Sequence, residues 1–224
     1  MRRVFGGARI LVACTGIAAL AGDFNYSLGT NPLAIANFFS YFTVQSALLV
    51  VVVFVLGAVY GLRNELDPLW LDMIRVLATV WVIVSGIVFA VILVEGSLRG
   101  VPVWAPWSSQ LLHFWIPGYA LVDWLIAPGR DVPWRTVGFI LVFPLLWVVF
   151  TMIRGSYVHW YPYFFLDPVL VAFPFEFAFY LLGVVVVFTG VAAAVIGISR
   201  LPRFEHLRER LGQNRPAGSR FRLG

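Results

Sequence analysis

The protein is a chain of 224 residues, of which 61% are hydrophobic and 12% are charged. Soluble domains carry about 25% charged residues, so this composition excludes an ordinary soluble protein and predicts one that is integrated into a membrane. The net charge of +5 comes from sixteen basic residues, all of them arginine, which cluster at both termini and favour a membrane surface over nucleic acid. The single cysteine, Cys14, excludes an internal disulfide.

Six apolar stretches are each long enough to cross a bilayer, which requires roughly 20 residues in a helix. They are Val4–Gly22, Ala36–Tyr60, Leu69–Val94, Ser109–Ala127, Trp134–Ile153 and Phe175–Ser199. We therefore predict an all-α, polytopic integral membrane helix bundle with six transmembrane helices over residues 1–199. The first stretch also has features of a secretory signal peptide, but Arg9 interrupts its front, so we expect a retained helix.

The arginines predict the orientation of this bundle. With both termini in the cytoplasm, fourteen of the sixteen arginines lie inside, and Arg99 and Arg154 lie outside. Residues 200–224 form an arginine-rich tail, in which we expect a short amphipathic helix on anionic lipid and disorder beyond Gln213. The exclusive use of arginine indicates a bacterium, so the predicted location is a bacterial inner (plasma) membrane.

One histidine, His113, lies inside an apolar stretch. It is near the start of the fourth predicted span, which descends from the outer side, and Ser109 and Gln110 share its helix face. An imidazole at this depth costs free energy unless it is used, which makes His113 a candidate functional residue. The alternative is that the His113 ring has no functional role and only donates a hydrogen bond to a backbone carbonyl or a neighbouring hydroxyl.

Three residues with hydroxyl groups lie near the start of the second predicted span, which also descends from the outer side. Ser40, Thr43 and Ser46 are spaced by three and are predicted to form one stripe. Ser40 falls at a depth similar to that of His113, and histidine is the usual base that activates a hydroxyl nucleophile. The alternative is that the stripe serves helix packing, because small polar residues let membrane helices approach closely.

Charged residues on the outer side offer further candidates. We expect Arg154 to hold a carboxylate or phosphate through two parallel hydrogen bonds. Asp167, or Glu95 or Glu176 in its place, is expected to orient His113 or to pair with Arg154. A structural ion pair that pins the outer loop is the alternative.

The inner side is expected to carry structural charges only. Asp72 and Arg75 are three residues apart and are predicted to form a local ion pair. Asp123 is predicted to snorkel to the inner interface, paired with Arg130 or Arg135. The chain has no zinc-binding or phosphate-binding motif and no Cys/His cluster, so we predict no metal and no cofactor.

Three short motifs follow one another along the chain: Phe39-Ser40-Tyr41-Phe42, His113 followed by Pro117, and the segment from Trp160 to Asp167. In this order they resemble the androgen-induced-gene family of integral membrane proteins and its bacterial relatives. Animal members are threonine-type lipid hydrolases that cleave esters between a fatty acid and a hydroxyl group on another fatty acid. The family's threonine stands in a Phe/Tyr-Leu-Thr-Phe context. By motif it falls on Ser40, with Thr43 as the runner-up, and the family's histidine falls on His113.

The resemblance implies a membrane hydrolase that cleaves a fatty-acid ester in the outer leaflet, with Ser40 as nucleophile and His113 as base. The implied partners are membrane lipids and a small lipid ester, without nucleic acid, and no oligomeric state is predicted. The candidates for substrate binding, including oxyanion donors, are Arg154, Asp167, Gln110, Asn37, Tyr41 and Tyr161. Two other readings stay open: a non-catalytic membrane scaffold or lipid-binding protein, and a small transporter.

Overall fold

A computed structural model describes residues 1–28, 34–98, 105–129, 131–172 and 174–212, and all regular secondary structure in these ranges is helical. The α-helices are α1 (Arg2–Leu28), α2 (Ala34–Phe38), α3 (Phe42–Leu62), α4 (Leu69–Leu98), α5 (Trp107–Gln110), α6 (Ile116–Ile126), α7 (Val142–Val158), α8 (Phe175–Ser199) and α9 (Pro202–Gly212). A π-helical segment, Leu111–Trp115, joins α5 to α6, and short 3₁₀ segments occupy Trp134–Phe139 and Phe164–Leu166. The predicted all-α fold class is confirmed.

Five helical segments among the described residues are long and apolar enough to cross a membrane. They are Arg2–Leu28, Phe42–Leu62, Leu69–Val94, Trp134–Val158 and Phe175–Ser199. Large apolar side chains such as Leu146 and Leu182 point outward from them, as they do where helices face lipid. The chain is therefore a membrane protein. The remaining predicted span, Ser109–Ala127, is helical but divided into α5, the π segment and α6.

The bundle is assembled around α4, which packs against α3, α6 and α8, while α1 packs along α3. Glycines bring α1 and α3 into close contact, since a Cβ atom on Gly6 would lie 2.9 Å from the Leu62 backbone nitrogen. By contrast, α7 meets the bundle through aromatic side chains. The Phe143 ring lies 5.1 Å from that of Phe42 and 4.9 Å from that of Trp81, measured between centroids. This leaves space between α7 and its neighbours.

An ion-pair network is buried at one end of the bundle. The predicted pair of Asp72 and Arg75 is confirmed, with 2.6 Å between Arg75 Nη2 and Asp72 Oδ1. The prediction for Asp123 is wrong, because this residue is 1% exposed and does not snorkel to an interface. Its carboxylate accepts from Arg9 Nε at 3.0 Å and from Arg75 Nη1 at 3.3 Å.

Asp67 completes the described part of this network by binding the same two arginines, Arg9 at 3.0 Å and Arg75 at 3.1 Å. Arg9 also donates to the carbonyl of Gly57 on α3. The network therefore ties α1, α3, α4 and α6 together at the end of the bundle opposite Thr43, which opens α3. Charged groups inside a membrane protein normally face the bundle interior and pair with one another, as they do here.

In the tail, α9 follows α8 directly and contacts α6. A short helix is therefore present where we expected one. Residues 213–224, for which we predicted disorder, lie outside the described residues.

Candidate functional site

His113 lies in the π-helical segment, where the N–H of Ile116 donates to the carbonyl of Leu111, five residues earlier. Pro117 has no N–H group, so the His113 carbonyl lacks the donor that an α-helix would supply. Single π-helical turns of this kind are frequent at functional sites. The freed carbonyl meets Gly86 of α4, where an added Cβ atom would lie only 2.2 Å from the carbonyl oxygen. The sequence thus places His113 at a tight contact between two helices.

The orientation of the His113 ring is set by two contacts. Nδ1 lies 2.8 Å from the carbonyl oxygen of Ser109, and because a carbonyl can only accept, Nδ1 carries the proton. The ring stacks on Phe89, with 3.8 Å between centroids and 15° between planes. In the neutral ring, Nε2 is therefore the free base.

That base faces Thr43, whose Oγ1 lies 3.1 Å from His113 Nε2. Ser85 Oγ on α4 lies 2.7 Å from the same Thr43 oxygen. Since Nε2 has no proton to give, Thr43 donates to the imidazole and Ser85 donates to Thr43. All three side chains are buried, with 6–8% of their surface exposed. A hydroxyl within hydrogen-bonding distance of an oriented histidine is the arrangement that activates an oxygen nucleophile.

The expected pair of Ser40 and His113 is not formed. The Ser40 hydroxyl donates to the carbonyl of Ala36 at 2.8 Å, and the Ser40 carbonyl accepts from Trp147 Nε1 at 2.9 Å. The reason is a break in the helix: residues 39–41 form a turn between α2 and α3, so Ser40 precedes the helix that carries Thr43. The three-residue spacing therefore does not continue as one stripe through Ser40. Thr43, the runner-up nucleophile, occupies the position opposite the base.

Tyr163 is a further member of the cluster that Thr43, Ser85 and His113 form, and its only signal in the sequence was the motif segment from Trp160 to Asp167. The hydroxyl and the backbone of Thr43 both act to lower the pKa of Tyr163, which makes the two residues neighbours. Burial raises the pKa of Tyr163 to about 12, so its hydroxyl stays protonated and can donate a hydrogen bond at any physiological pH.

Asp23, near the end of α1, binds the two serines that precede His113 on its helical segment. Its Oδ1 accepts from Ser109 Oγ at 2.6 Å and from Ser108 Oγ at 3.2 Å. Ser109 in turn supplies the carbonyl that holds the His113 ring. Sequence reasoning missed Asp23 because the predicted first span stopped at Gly22, whereas α1 continues to Leu28. Ser85 was missed too, since a serine in the middle of an apolar span carries no signal of its own.

The predicted anion-binding residue Arg154 lies at the same end of the bundle, close to the end of α7. Its Nη2 donates to Asn37 Oδ1 at 2.7 Å, and its guanidinium carbon lies 5.5 Å from the centroid of the Trp160 ring. Asn37 thus positions Arg154.

Two of the acidic residues expected to support His113 or Arg154 bind nearby backbone N–H groups instead. Asp167 accepts from the N–H of Val169 at 2.9 Å and stabilises its own turn. Glu176 accepts from the N–H of Ala172 at 2.7 Å, at the start of α8. The side chain of Glu95 lies outside the described part of the chain. Asp167 and Glu176 thus accept hydrogen bonds from backbone N–H groups that are close to them in the chain. The spacing of charged residues in the sequence does not reveal such bonds.

The remaining predicted substrate-binding residues divide into two groups. Tyr41 is half-buried near the site, with its ring 6.1 Å from that of Tyr163 and 5.5 Å from that of Trp160. Gln110 is exposed and donates to the carbonyl of Ala105 at 3.0 Å. Tyr161 packs on the backbone of α7 at Gly155, where a Cβ atom would lie 2.1 Å from its ring. Only Tyr41 of these three therefore adjoins the hydroxyl cluster.

An apolar cavity of about 50 Å³ opens beside the cluster. It lies between α4, α7, α8 and the segment from Tyr163 to Leu166. Ser85 and Tyr163 are the hydroxyl-bearing residues of a lining that is otherwise apolar or aromatic. Among the described residues, no group of three or more His, Cys, Asp or Glu side chains is placed to hold a metal ion.

Comparison of the chain with protein-family models, with curated proteins and with solved structures finds no match. The resemblance to the androgen-induced-gene family therefore stays a prediction. The family's threonine context was matched to Ser40, yet Tyr41-Phe42-Thr43-Val44 has the same order of aromatic, apolar, threonine and apolar residues. This order of residues would have matched the family's threonine to Thr43, so that no serine would stand in place of the threonine.

Proposed function

We propose that this protein is an integral membrane hydrolase that cleaves a fatty-acid ester, with Thr43 as nucleophile and His113 as general base. The observation that carries the proposal is the 3.1 Å separation of Thr43 Oγ1 and His113 Nε2, combined with the bond from Nδ1 to the Ser109 carbonyl. That combination leaves the basic nitrogen facing the hydroxyl. Ser109 here takes the role of the third group that orients the base in hydrolytic triads.

In the first half of the proposed reaction, Thr43 Oγ1 attacks the ester carbonyl carbon while its proton passes to His113 Nε2. The C–O bond to the alcohol then breaks, and the leaving alkoxide takes the proton from Nε2. In the second half, His113 Nε2 takes a proton from water as that water attacks the acyl carbon. The bond between the acyl carbon and Thr43 Oγ1 then breaks, the proton passes from Nε2 to Thr43 Oγ1, and the fatty acid is released. Tyr163 and Ser85 hydroxyls stand beside Thr43 as donors for the negatively charged oxygen, in place of the earlier candidates Gln110 and Asn37.

The proposed setting is a bacterial inner membrane that the chain crosses six times, with α5, the π segment and α6 together forming the fourth crossing. Both termini are then cytoplasmic, as the distribution of arginines favours. Thr43 and His113 lie at the outer end of the bundle in this orientation. A lipid ester reaches them laterally from the outer leaflet, and Arg154 holds a carboxylate at the substrate's polar end.

A non-catalytic lipid-binding protein is the second candidate. The apolar cavity favours it, because a cavity can hold a hydrocarbon chain without any chemistry at its end. The two functions differ in whether the Thr43 oxygen becomes covalently modified.

The test is labelling of the purified protein with a fluorophosphonate, which traps activated hydroxyl nucleophiles. We expect wild type and Ser40→Ala to label, and Thr43→Val and His113→Ala to lose labelling while eluting as folded protein in size-exclusion chromatography. Thr43→Val is chosen because it keeps the shape of the side chain and removes only the hydroxyl. Labelling that disappears in Ser40→Ala but survives in Thr43→Val would move the nucleophile to Ser40. A wild type that never labels would favour the lipid-binding alternative.

A further inference from the structure

Asp23, close to the end of α1, fastens that helix to the segment that carries the base. Its Oδ1 accepts hydrogen bonds from Ser109 Oγ at 2.6 Å and from Ser108 Oγ at 3.2 Å. The neighbouring Gly22 makes this approach possible, because a Cβ atom there would lie 2.7 Å from the Trp107 ring and 3.2 Å from Ser108 Cβ. A glycine and a carboxylate that are adjacent in the chain thus hold α1 against α5.

Ser109 connects this contact to the imidazole. Its hydroxyl is bound to Asp23, and its carbonyl oxygen lies 2.8 Å from His113 Nδ1. Both groups belong to one residue, so a displacement of the Ser109 hydroxyl also moves the carbonyl that keeps the proton on Nδ1. Without that acceptor the proton can reside on Nε2, and a protonated Nε2 of a neutral ring cannot take a proton from Thr43. The tautomer that the proposed reaction needs therefore depends on a residue of α1.

The negative charge of Asp23 also acts electrostatically on the His113 ring. This matters during the reaction, because the ring becomes an imidazolium when Nε2 takes the Thr43 proton. A nearby negative charge favours that charged form of the ring. The carboxylate of hydrolytic triads serves the same purpose through a direct bond to the imidazole, whereas here Ser109 stands between the two.

We infer that Asp23 is a positioning residue for the proposed reaction. It holds Ser109 in place and thereby fixes the tautomer of His113, and its charge stabilises the imidazolium that forms as Thr43 gives up its proton. The inference rests on the proposed function, and it adds a member from α1 to a site whose nucleophile and base come from α3 and the π segment. If Asp23 only fastened α1 to α5, its removal would lower the stability of the fold without changing the state of the imidazole.

The first test reads the tautomer directly and does not depend on turnover. Protein with isotope-labelled histidine is studied by nitrogen NMR in detergent micelles, where the Nδ1 and Nε2 chemical shifts report which nitrogen carries the proton. His159→Asn and His206→Gln remove the other two histidines of the chain. Asparagine suits position 159 because it tolerates the positive φ of 52° that His159 adopts.

In this background we expect a protonated Nδ1 with the native Asp23 and also in Asp23→Asn, because an amide oxygen still accepts from Ser109. Asp23→Ala and Ser109→Ala should each give a mixture of the two tautomers. The double variant should change the tautomer no further than either substitution alone, since Asp23 acts through Ser109. Asn25→Ala, at an exposed residue of the same part of α1, is the matched control and should leave the tautomer unchanged.

The second test measures the hydrolysis of 4-nitrophenyl acetate. We expect Asp23→Asn to lower kcat about tenfold with an unchanged KM, because the imidazolium then forms without the nearby negative charge. Asp23→Ala should lower kcat about 100-fold, as a misplaced base does. Asn25→Ala should leave both constants unchanged. If Asp23→Ala does not fold, Ser109→Ala tests the tautomer and Asp23→Asn tests the charge.

The outcomes separate this inference from the proposed function. An unchanged tautomer in folded Asp23→Ala and Ser109→Ala would overturn the positioning role. An unchanged kcat in Asp23→Asn, in a protein whose hydrolysis needs Thr43 and His113, would overturn the role of the charge and leave the hydrolase intact. A tautomer that changes with both substitutions, in a wild type without any hydrolysis, would support the positioning of His113 by Asp23 and overturn the hydrolase.

Discussion

The Thr43 hydroxyl oxygen lies 3.1 Å from His113 Nε2, although seventy residues separate the two in the chain. Thr43 is in the first turn of α3, and His113 is in the π segment between α5 and α6. Their contact is buried and includes Ser85 from α4. Three helical segments therefore converge on one hydroxyl oxygen at one end of the bundle.

The base in this pair is oriented through backbone geometry instead of a direct carboxylate. Ser109 holds Nδ1 with its carbonyl, and the Ser109 hydroxyl is bound by Asp23. A neutral acceptor keeps the required tautomer without placing a charge next to the imidazole. Because an isolated charge inside a membrane costs free energy, a carbonyl orients the imidazole at a lower cost than a carboxylate would.

Gly86 is expected to be essential for the position of His113. In Gly86→Ala, the new methyl group would lie 2.2 Å from the His113 carbonyl oxygen, so α4 and the π segment must separate. A misplacement of about 1 Å costs on the order of 100-fold in rate, and we expect fluorophosphonate labelling to slow by that factor. Gly118→Ala is the control, since nothing lies within 4 Å of its added Cβ atom. Equal labelling rates in the two variants would show that the close contact does not position the base.

Tyr163→Phe removes only the hydroxyl that interacts with Thr43. If that hydroxyl stabilises the oxyanion, kcat for ester hydrolysis should fall by about 10²–10³ with little change in KM. Tyr157→Phe, at a tyrosine that is 79% exposed, should leave both constants unchanged. A rise in KM at constant kcat would instead assign Tyr163 to substrate binding alone.

Asp123→Asn should destabilise the fold without changing the arrangement of Thr43 and His113. Asp123 accepts from both Arg9 and Arg75, and breaking a buried ion pair costs about 3–5 kcal/mol because a charge is left without its partner. Thermal unfolding in detergent should show a lower midpoint, whereas the labelling rate of the folded protein should match that of wild type. Glu65→Gln, which neutralises an exposed carboxylate near Asp67, should leave the midpoint unchanged. An unaltered midpoint in Asp123→Asn would contradict the role given to the network.

Arg154 is predicted to recognise a carboxylate on the substrate. Arg154→Gln should raise KM about tenfold or more for an ester that carries a second, free carboxylate, because charge-assisted hydrogen bonds are lost. The KM for a neutral ester of the same chain length should stay the same. An equal rise in KM for both esters, together with a lower unfolding midpoint, would mean that the contacts of Arg154 with Asn37 and Trp160 are purely structural.

The boundaries of several helices followed from hydropathy. The sixth predicted span, Phe175–Ser199, coincides with α8, and the third, Leu69–Val94, differs from α4 only at its end. Both are long, mainly apolar runs with polar or proline-containing borders. The first span was predicted too short because Asp23 and Asn25 interrupt the apolar pattern, although α1 continues past them.

The choice of nucleophile could not be made from spacing. Ser40, Thr43 and Ser46 share a period of three, but the turn at residues 39–41 separates Ser40 from α3. That turn is stabilised by tertiary contacts, including the bond from Trp147 to the Ser40 carbonyl. A local pattern does not contain this information.

The sequence by itself determined that this chain is a helical membrane protein, because an apolar chain of this kind can satisfy its backbone in lipid only within regular, closed hydrogen-bonding patterns. It also determined that His113 and the hydroxyl-bearing start of α3 belong to the same end of the bundle. Only the tertiary structure decided that Thr43 faces the imidazole and that Asp123 joins Arg9 and Arg75. Such pairings depend on how each helix is rotated and shifted against its neighbours, and a rotation of one residue carries a side chain about 100° around the helix axis.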